Sequence, residues 1–473
     1  MNKNKIIYII LGFIFSVIII NLYIHKDTSL VHGDKSFYVG SNTCKECHNK
    51  KHKAWSHSSH PKIFKKYTDD SQIIADFENK PDFVKFDKKD IELIIGYQWE
   101  QVFAREIDGE YYPFPAKWME LTKKWIPYKT DTWHKTPLTQ KCNGCHTTGL
   151  NKETGVFVEF GVSYESCHGP GSRHVQNKKI INNFECNVCH GVGSLKAELD
   201  RIENEEDIVR TVKSSVCGQC HSRGVENKVM THQTEVQFNF PVEYMPGEEL
   251  SKNFKTTTPQ TDQKGKNWWG NGVSKNRHQE YADFSKSGHA KSLTNLKIKR
   301  SEFCEDKPKD SCLNCHSADY ITQKRYKETK PHKKDIVLPT LQTSREGITC
   351  VVCHNPHKVG DKKVKAADMC VECHTDETET MKNNPDHYPC PTKEVKCVDC
   401  HMPKIVKTGG EFSLRSHAFK IIPPQATEKY GMPSSCQNGS CHQDRSTKWA
   451  IDEYNKFYDK KEQTLFQTVK EMK

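Results

Sequence analysis

One cysteine and histidine pattern recurs eight times in this chain of 473 residues and constrains its fold more than any other feature. In each copy, two cysteines separated by two residues are followed at once by histidine. This spacing is the attachment signature of c-type haem, because each thiol forms a thioether with one vinyl group while the histidine ligates the iron. Paired cysteines also ligate zinc, but zinc does not require histidine directly after the second cysteine.

The eight motifs predict the residues that hold eight haems. The predicted proximal iron ligands are His48, His146, His190, His221, His316, His354, His374 and His401. The predicted thioether cysteines are Cys44, Cys47, Cys142, Cys145, Cys186, Cys189, Cys217, Cys220, Cys312, Cys315, Cys350, Cys353, Cys370, Cys373, Cys397 and Cys400.

A ninth segment has a longer spacing. Four residues separate Cys436 from Cys441, and His442 follows. Asn438 and Gly439 favour a turn that lets this loop reach both vinyl groups. We therefore expect a ninth haem here.

A tenth segment lacks one cysteine. Tyr164 occupies the place of the first cysteine before Cys167 and His168. One thioether together with the iron–histidine bond can hold a haem, and the alternative is an empty site. The sequence thus predicts nine or ten covalently bound haem c groups.

The composition predicts a core built from porphyrin. Only 35% of the residues are hydrophobic, which is low for a globular chain, yet aromatic residues make up 10%. We expect a mostly α-helical and irregular multihaem cytochrome c fold, with short helices and loops around stacked haems. Between residues 81 and 118, β-forming residues flank Asp108 and Gly109, which predicts a small antiparallel insert with a tight hairpin.

The motifs suggest a division of the chain. We expect a signal anchor or transmembrane helix in residues 1–30 and an N-terminal haem group with four or five haems in residues 36–245. Residues 246–275 are rich in Pro, Gly, Thr and Lys and predict a linker. A C-terminal group of five haems follows in residues 276–445. Apolar residues near helical spacing predict a closing helix over residues 446–473.

The N-terminus predicts export. Lys3 and Lys5 precede an apolar stretch over residues 6–24, which is long enough to span a bilayer. No small-residue cleavage site follows it, so we expect an inner-membrane anchor with the body facing the periplasm. A cleaved signal, which would release the body to the periplasm or cell surface, is the alternative.

The charge does not indicate a nucleic-acid partner. The formal net charge is +11, but each ferric haem with its propionates adds about −1, so ten haems bring the oxidised protein to about +1. We therefore expect redox donor and acceptor proteins as partners and no nucleic acid.

The histidine supply is sufficient for a second axial ligand on every iron. Beyond the ten motif histidines and the two beside the anchor, twelve remain for ten irons. An iron with two histidines has no open position and can only pass electrons. The favoured distal candidates are His60, His174, His289, His357 and His417. The remaining cysteines, Cys304 and Cys390, form either a disulfide or two separate thiols.

Several longer phrases resemble a known family. The phrases are CHGPGSRH (Cys167 to His174), SKSGHAKSL (Ser285 to Leu293), CVVCHNPH (Cys350 to His357) and CVDCHMP with RSHAFKIIPP (Cys397 to Pro424). They resemble the multihaem cytochromes c with doubled CxxCH motifs, many of which continue into tetratricopeptide repeats that are absent from this sequence. The resemblance implies a periplasmic or surface electron carrier with closely packed haems. It also implies distal ligation by His174, His357 and His417.

Three functions are compatible with these features. The leading hypothesis is a cytochrome that relays electrons through bis-histidine haems between a membrane donor and a periplasmic or extracellular acceptor. The second is an oxidoreductase that acts on a small nitrogen or sulfur compound at one open haem, for which Tyr164, Cys167 and His168 form the candidate site. The third is a filament subunit in which haem stacking continues between copies.

Overall fold

A computed structural model defines most of the chain. It describes residues 36–135, 137–178, 208–226, 229–231, 234–262, 265–298, 307–330, 336–357, 366–374, 395–408, 410–438 and 441–457. The predicted anchor, the motif from Cys186 to His190, and Cys304 and Cys390 lie outside these residues. No helix among the described residues combines the length and apolarity needed to cross a membrane.

The chain divides into two compact units. The smaller unit includes residues 36–39, 170–178 and 208 of the described chain, and the larger unit includes residues 40–169 and 209–457. Within the smaller unit, a helix spans residues 172–178, and the hydroxyl of Ser36 donates to the carbonyl of Pro170 at 3.0 Å. All of the described motifs lie in the larger unit.

The helices of the larger unit are mostly one or two turns long, as expected for a chain organised around a prosthetic group. Three described helices are longer: Ser41–Ser56, which carries the first motif, Ala318–Thr329, and a last helix over residues 447–457. The shorter ones are Leu138–Lys141, Asn143–His146, Glu165–His168, Ser215–Gly218, Glu280–Ser285, Ser292–Ile298, Leu313–His316, Cys350–Cys353, Ala366–Val371, Cys397–His401 and Gln425–Tyr430. The described part of the predicted closing helix is therefore helical.

The strands are short and antiparallel. They are β1 Phe64–Lys66, β2 Leu93–Ile95, β3 Glu100–Ile107, β4 Glu110–Met119, β5 Lys124–Pro127, β6 Thr147–Thr148, β7 Glu159–Phe160, β8 Gly224–Glu226, β9 Val229–Thr231, β10 Thr234–Val236, β11 Phe254–Thr256, β12 Lys404–Thr408 and β13 Glu411–Arg415. Strands β1 to β5 form one sheet in chain order, and the remaining strands pair as β6 with β7, β8 with β11, β9 with β10 and β12 with β13.

The five-stranded sheet is larger than the predicted insert, because β1 and β5 lie outside residues 81–118. The hairpin between β3 and β4 does turn at Asp108 and Gly109, both of which have positive φ, 52° and 82°. The sequence signal missed β1 because its three residues, between two polar segments, are too few to show alternation. The chain around the haem motifs thus includes more sheet than a mostly helical fold implies.

Both faces of this sheet are buried, and the alternation along the strands explains how. On β3, Phe103 points into an aromatic cluster that includes Phe86, Phe114 and Trp125. Its neighbours Val102 and Ala104 point to the opposite face, where Leu138 and Cys142 pack. The sheet therefore holds the second haem motif against one of its faces.

The segment predicted as a linker is packed within the larger unit. Strand β11 pairs with β8, and Trp268 and Trp269 are buried. Trp269 belongs to an apolar cluster with Ile405 and Val406 of β12. The Pro- and Thr-rich composition of residues 246–275 does not indicate these tryptophan contacts.

Candidate functional site

Four of the described CxxCH motifs share one tight turn. The amide of His146 donates to the carbonyl of Cys142 at 3.1 Å, and that of His221 donates to Cys217 at 2.9 Å. The same bond joins His354 to Cys350 and His374 to Cys370. Residues three apart in a helical turn lie on one face, so both cysteines of a motif point to the same side. The histidine follows within the same turn.

The segment with Tyr164 has the same backbone turn as the regular motifs. The amide of Cys167 donates to the carbonyl of Tyr164 at 3.0 Å, and that of His168 donates to it at 2.9 Å. The Tyr164 hydroxyl is buried without a hydrogen-bond partner in the described structure, and its ring lies 5.2 Å from that of Trp55. The turn is thus preserved where the cysteine is not.

The turn of the longer motif begins within its loop. The amide of Cys441 donates to the carbonyl of Asn438 at 2.8 Å, so Asn438 takes the place that the first cysteine has elsewhere. Asn438 is buried, and its amide group donates to the carbonyl of Ser435 at 2.7 Å. This bond matches the regular motifs, but the backbone of His442 differs from theirs, with a positive φ of 41°.

Eight of the ten predicted sites face one continuous cavity. Its volume is about 3690 Å³, several times the roughly 300–1,000 Å³ of a site for one small molecule. The lining motif residues are Cys142, Cys145, His146, Cys167, His168, Cys217, Cys220, His221, Cys315, His316, Cys350, Cys353, His354, Cys370, Cys373, His374, Cys397, Cys400, His401, Cys436, Cys441 and His442. The predicted distal residues His60, His289, His357 and His417 also line it. His174 lies in the smaller unit.

Four motif histidines each face a second histidine across a gap of nearly constant width. The ring centres are 6.0 Å apart for His168 and His357 and 6.2 Å apart for His354 and His417. They are 6.2 Å apart for His374 and His289 and 6.3 Å apart for His221 and His278. Three of the four partners are favoured distal candidates, and His278 is one of the seven less favoured.

This gap matches an iron held between two imidazoles. A metal–imidazole bond is about 2 Å long, and each ligating nitrogen lies about 1 Å from its ring centre, so trans imidazoles have centres about 6 Å apart. The angles between the ring planes differ, from 13° for His168 and His357 to 84° for His289 and His374. Within the described residues, no three His, Cys, Asp or Glu side chains converge as a zinc site requires.

Burial keeps several of these imidazoles neutral, as metal ligation requires. It lowers the pKa of His146 and of His357 to about 4, and that of His278 to about 3. His221 differs. Burial would lower its pKa, but the carboxylate of Glu280 outweighs burial and raises it.

Neighbouring motifs touch through their cysteines. The thiol of Cys145 lies 3.7 Å from the carbonyl oxygen of Gln219, and the thiol of Cys220 lies 3.8 Å from that of Cys145. A second reciprocal pair links Cys315 to Cys373, with sulfur–oxygen distances of 4.0 Å to Cys373 and Asn314. Such contacts would bring the cofactors of the contacting motifs close together.

Two charged residues near the motif at His221 belong to no motif, so the sequence alone does not identify them as part of the site. Glu280 lies two residues after His278, and Arg277 one residue before it. Arg277 pairs with Glu100 of β3, which also accepts a 2.8 Å bond from Lys117. Only the positive φ of His278, 62°, marks this turn as unusual, and φ cannot be inferred from residue type there.

These features define a class of protein. Thiol pairs and histidines converge on a cavity too large for one ligand, and the facing imidazoles are separated by the width of a ligated iron. The residues therefore fit covalently attached haem.

Comparisons with known proteins agree. Residues 43–89 and 117–169 match the family model of cytochrome c554 and c-prime. The fold is similar to that of the outer cell wall cytochrome OcwA, with a TM-score of 0.69 and 26% identity over 89% of this chain and 86% of that chain. It is also similar to an undecahaem cytochrome from the S-layer of Carboxydothermus ferrireducens, with a TM-score of 0.52 and 18% identity over 92% of this chain and 62% of that chain. A search of curated proteins found no match. These similarities support a multihaem cytochrome c with covalently bound haem c.

Proposed function

We propose that this cytochrome relays electrons through a chain of bis-histidine haems. The observation that carries the proposal is the set of four histidine pairs with ring centres 6.0–6.3 Å apart around one cavity. Each pair joins a motif histidine to a histidine from a distant part of the sequence. An iron with both axial positions filled exchanges electrons without binding a substrate.

The residues have separate roles in this relay. The cysteines tether each haem, and the motif histidines ligate the iron from one side. His278, His289, His357 and His417 close the other side of four irons. Haem c supplies reversible one-electron chemistry, and the shared cavity keeps the groups near enough for electrons to pass between them.

The same geometry bears on the site with one thioether. His357 faces His168 at 6.0 Å, which supports a closed iron at this site and argues against its use as the open haem of an oxidoreductase. Together with the preserved turn at Tyr164, it favours ten haems over nine.

We further propose an extracytoplasmic location with a donor on the membrane side and an acceptor outside. The apolar stretch in residues 1–30 would direct export and, if it is retained, anchor the protein. The similar proteins of known structure are described as outer cell wall and S-layer cytochromes, which supports a surface acceptor for this chain.

Electron paramagnetic resonance of the oxidised protein tests the relay. We expect all ferric haems to be low-spin. The parallel pair at His168 should give a more rhombic signal than the perpendicular pair at His374, because perpendicular imidazole planes leave the iron orbitals closer to degenerate. A stoichiometric high-spin haem that binds nitrite, hydroxylamine or cyanide would instead support the oxidoreductase.

A further inference from the structure

Glu280 stands beside both axial ligands of one predicted haem. Its Oε1 accepts a 3.2 Å hydrogen bond from the backbone amide of His278. Its Oε2 lies 3.6 Å from Nδ1 of His221, an ion-pair distance that is longer than a hydrogen bond. Oε2 is buried and has no hydrogen-bond donor among the described residues. One carboxylate thus faces the motif histidine and fixes the distal one.

Other axial histidines have neutral partners at the same nitrogen. Nδ1 of His168 lies 2.8 Å from the carbonyl oxygen of Val209, and Nδ1 of His417 lies 3.2 Å from that of Arg415. Nδ1 of His316 lies 3.3 Å from the carbonyl oxygen of Ser292. The haem of His221 therefore has a full negative charge where these haems have a peptide dipole.

The charge acts on the iron in two ways. A carboxylate next to the non-ligating nitrogen makes the imidazole a stronger donor, which favours ferric iron. A buried negative charge also stabilises the more positive oxidation state directly, because the interior screens it weakly. Arg277 and Arg223 oppose this effect, but the guanidinium of Arg277 is paired with Glu100, and neither arginine is in contact with Nδ1 of His221 as Glu280 is.

The motif of His221 occupies a junction between the two haem groups. Cys220 contacts Cys145 of the N-terminal group, as described above. On its other side, Cys217 lies beside Cys350 of the C-terminal group. The amide of Cys350 also donates to the hydroxyl of Ser214 at 3.3 Å. An electron that crosses between the groups by this route passes the haem at His221.

We propose that Glu280 lowers the reduction potential of the haem at Cys217–His221 and thereby makes this junction a controlled step between the N-terminal and C-terminal haem groups. The inference rests on the proposed relay. Each group would then fill with electrons before the junction haem is reduced, so the two groups act as separate stores joined by one uphill step.

Redox titration of the full holoprotein, followed by its visible spectrum, tests the proposal. Glu280→Gln removes the charge and keeps the shape. We expect one haem to shift to a higher potential by at least 59 mV, which is a tenfold change in its reduction equilibrium. Glu428→Gln, which removes an exposed carboxylate from the helix Gln425–Tyr430, is the matched control and should leave the titration unchanged.

A titration of Glu280→Gln that superimposes on the wild type, with all haems retained, would overturn the proposal. If this variant loses haem, Glu280→Asp decides. Its shorter carboxylate stays charged but retreats from His221, so an upward shift supports the proposal and an unchanged potential refutes it. The relay itself is judged separately, from the low-spin spectrum of the wild type.

Discussion

His357, the proposed distal ligand of one iron, lies on a loop that follows another motif. It follows the motif Cys350–His354 by three residues, yet its ring faces His168 rather than His354. His354 faces His417 instead. In the proposed ligation, motifs would exchange ligands, and the irons would crosslink distant parts of the chain.

Replacing His357 should open one haem. In His357→Ala, the iron of His168 loses its distal ligand, so we expect one high-spin ferric haem that binds cyanide, detected by electron paramagnetic resonance. The control is His57→Ala, because the ring of His57 is exposed and contacts the carbonyl of Lys53 in its own helix. An entirely low-spin His357→Ala protein would contradict this pairing.

Asp283 gives the stability a defined pH dependence. This buried carboxylate accepts a 3.2 Å bond from the amide of Ser274, but burial raises its pKa to about 6. Because the folded pKa lies above the unfolded one of about 4, the folded state binds the proton more tightly. Its stabilising contribution is full below pH 4 and is lost as the pH rises through 6.

Asp283→Asn should therefore stabilise the protein at pH 7, by up to roughly 3 kcal/mol, since Asn needs no desolvation of a charge. Denaturant unfolding midpoints at pH 4 and pH 7 measure this. The advantage of the variant should shrink at pH 4. An equal effect at both values would show that ionisation of Asp283 is not the cause.

Local spacing reveals proximal ligands but not distal ones. His221 directly follows Cys220 in the motif, so the four residues before His221 are enough to identify it as a proximal ligand. Its partner His278 is 57 positions away and is preceded by Arg277, in a segment with no motif of its own. Only the folded chain brings such residues together, so the sequence alone cannot single out His278 or Glu280.

Among the elements, the five-stranded sheet differs from its surroundings. Phe77, Phe86, Phe103 and Trp125 have ring centres 5.0–5.9 Å apart, so the sheet has an aromatic core of side chains. The sequence predicted its central hairpin from Asp108 and Gly109. It could not predict the full extent, because β1 pairs with β2 across an intervening segment of weak periodicity.

This core predicts a difference in protease resistance. In protein exported without haem attachment, we expect limited proteolysis to cut the motif segments first and to spare the sheet over residues 64–127 longest. Mass spectrometry of the fragments identifies the order. Phe103→Ala should remove this protection, since loss of a buried phenylalanine costs about 3–5 kcal/mol. Uniform digestion of the wild-type chain would show that the sheet also depends on haem.

At the scale of the whole molecule, the number of haems depends on eight regular motifs, one motif with a longer spacing and one with a single cysteine. We expect an intact mass that exceeds the polypeptide by ten haems. Cys167→Ala should lose one, because no second thioether exists at this site. The control is Cys304→Ala, which lies outside every motif and should keep all ten. A Cys167→Ala protein with the same number of haems as the wild type would show that the site was empty.

The large cavity that eight predicted sites share has a consequence for biogenesis. A pocket that holds one ligand can be filled after the chain has folded, through its mouth. An interior that eight bulky haems would share, each attached to cysteines that line it, cannot be filled after the chain has folded. The cysteines must meet their haems while the polypeptide is still open, so the maturation machinery acts on an extended chain and the final fold closes around cargo already in place.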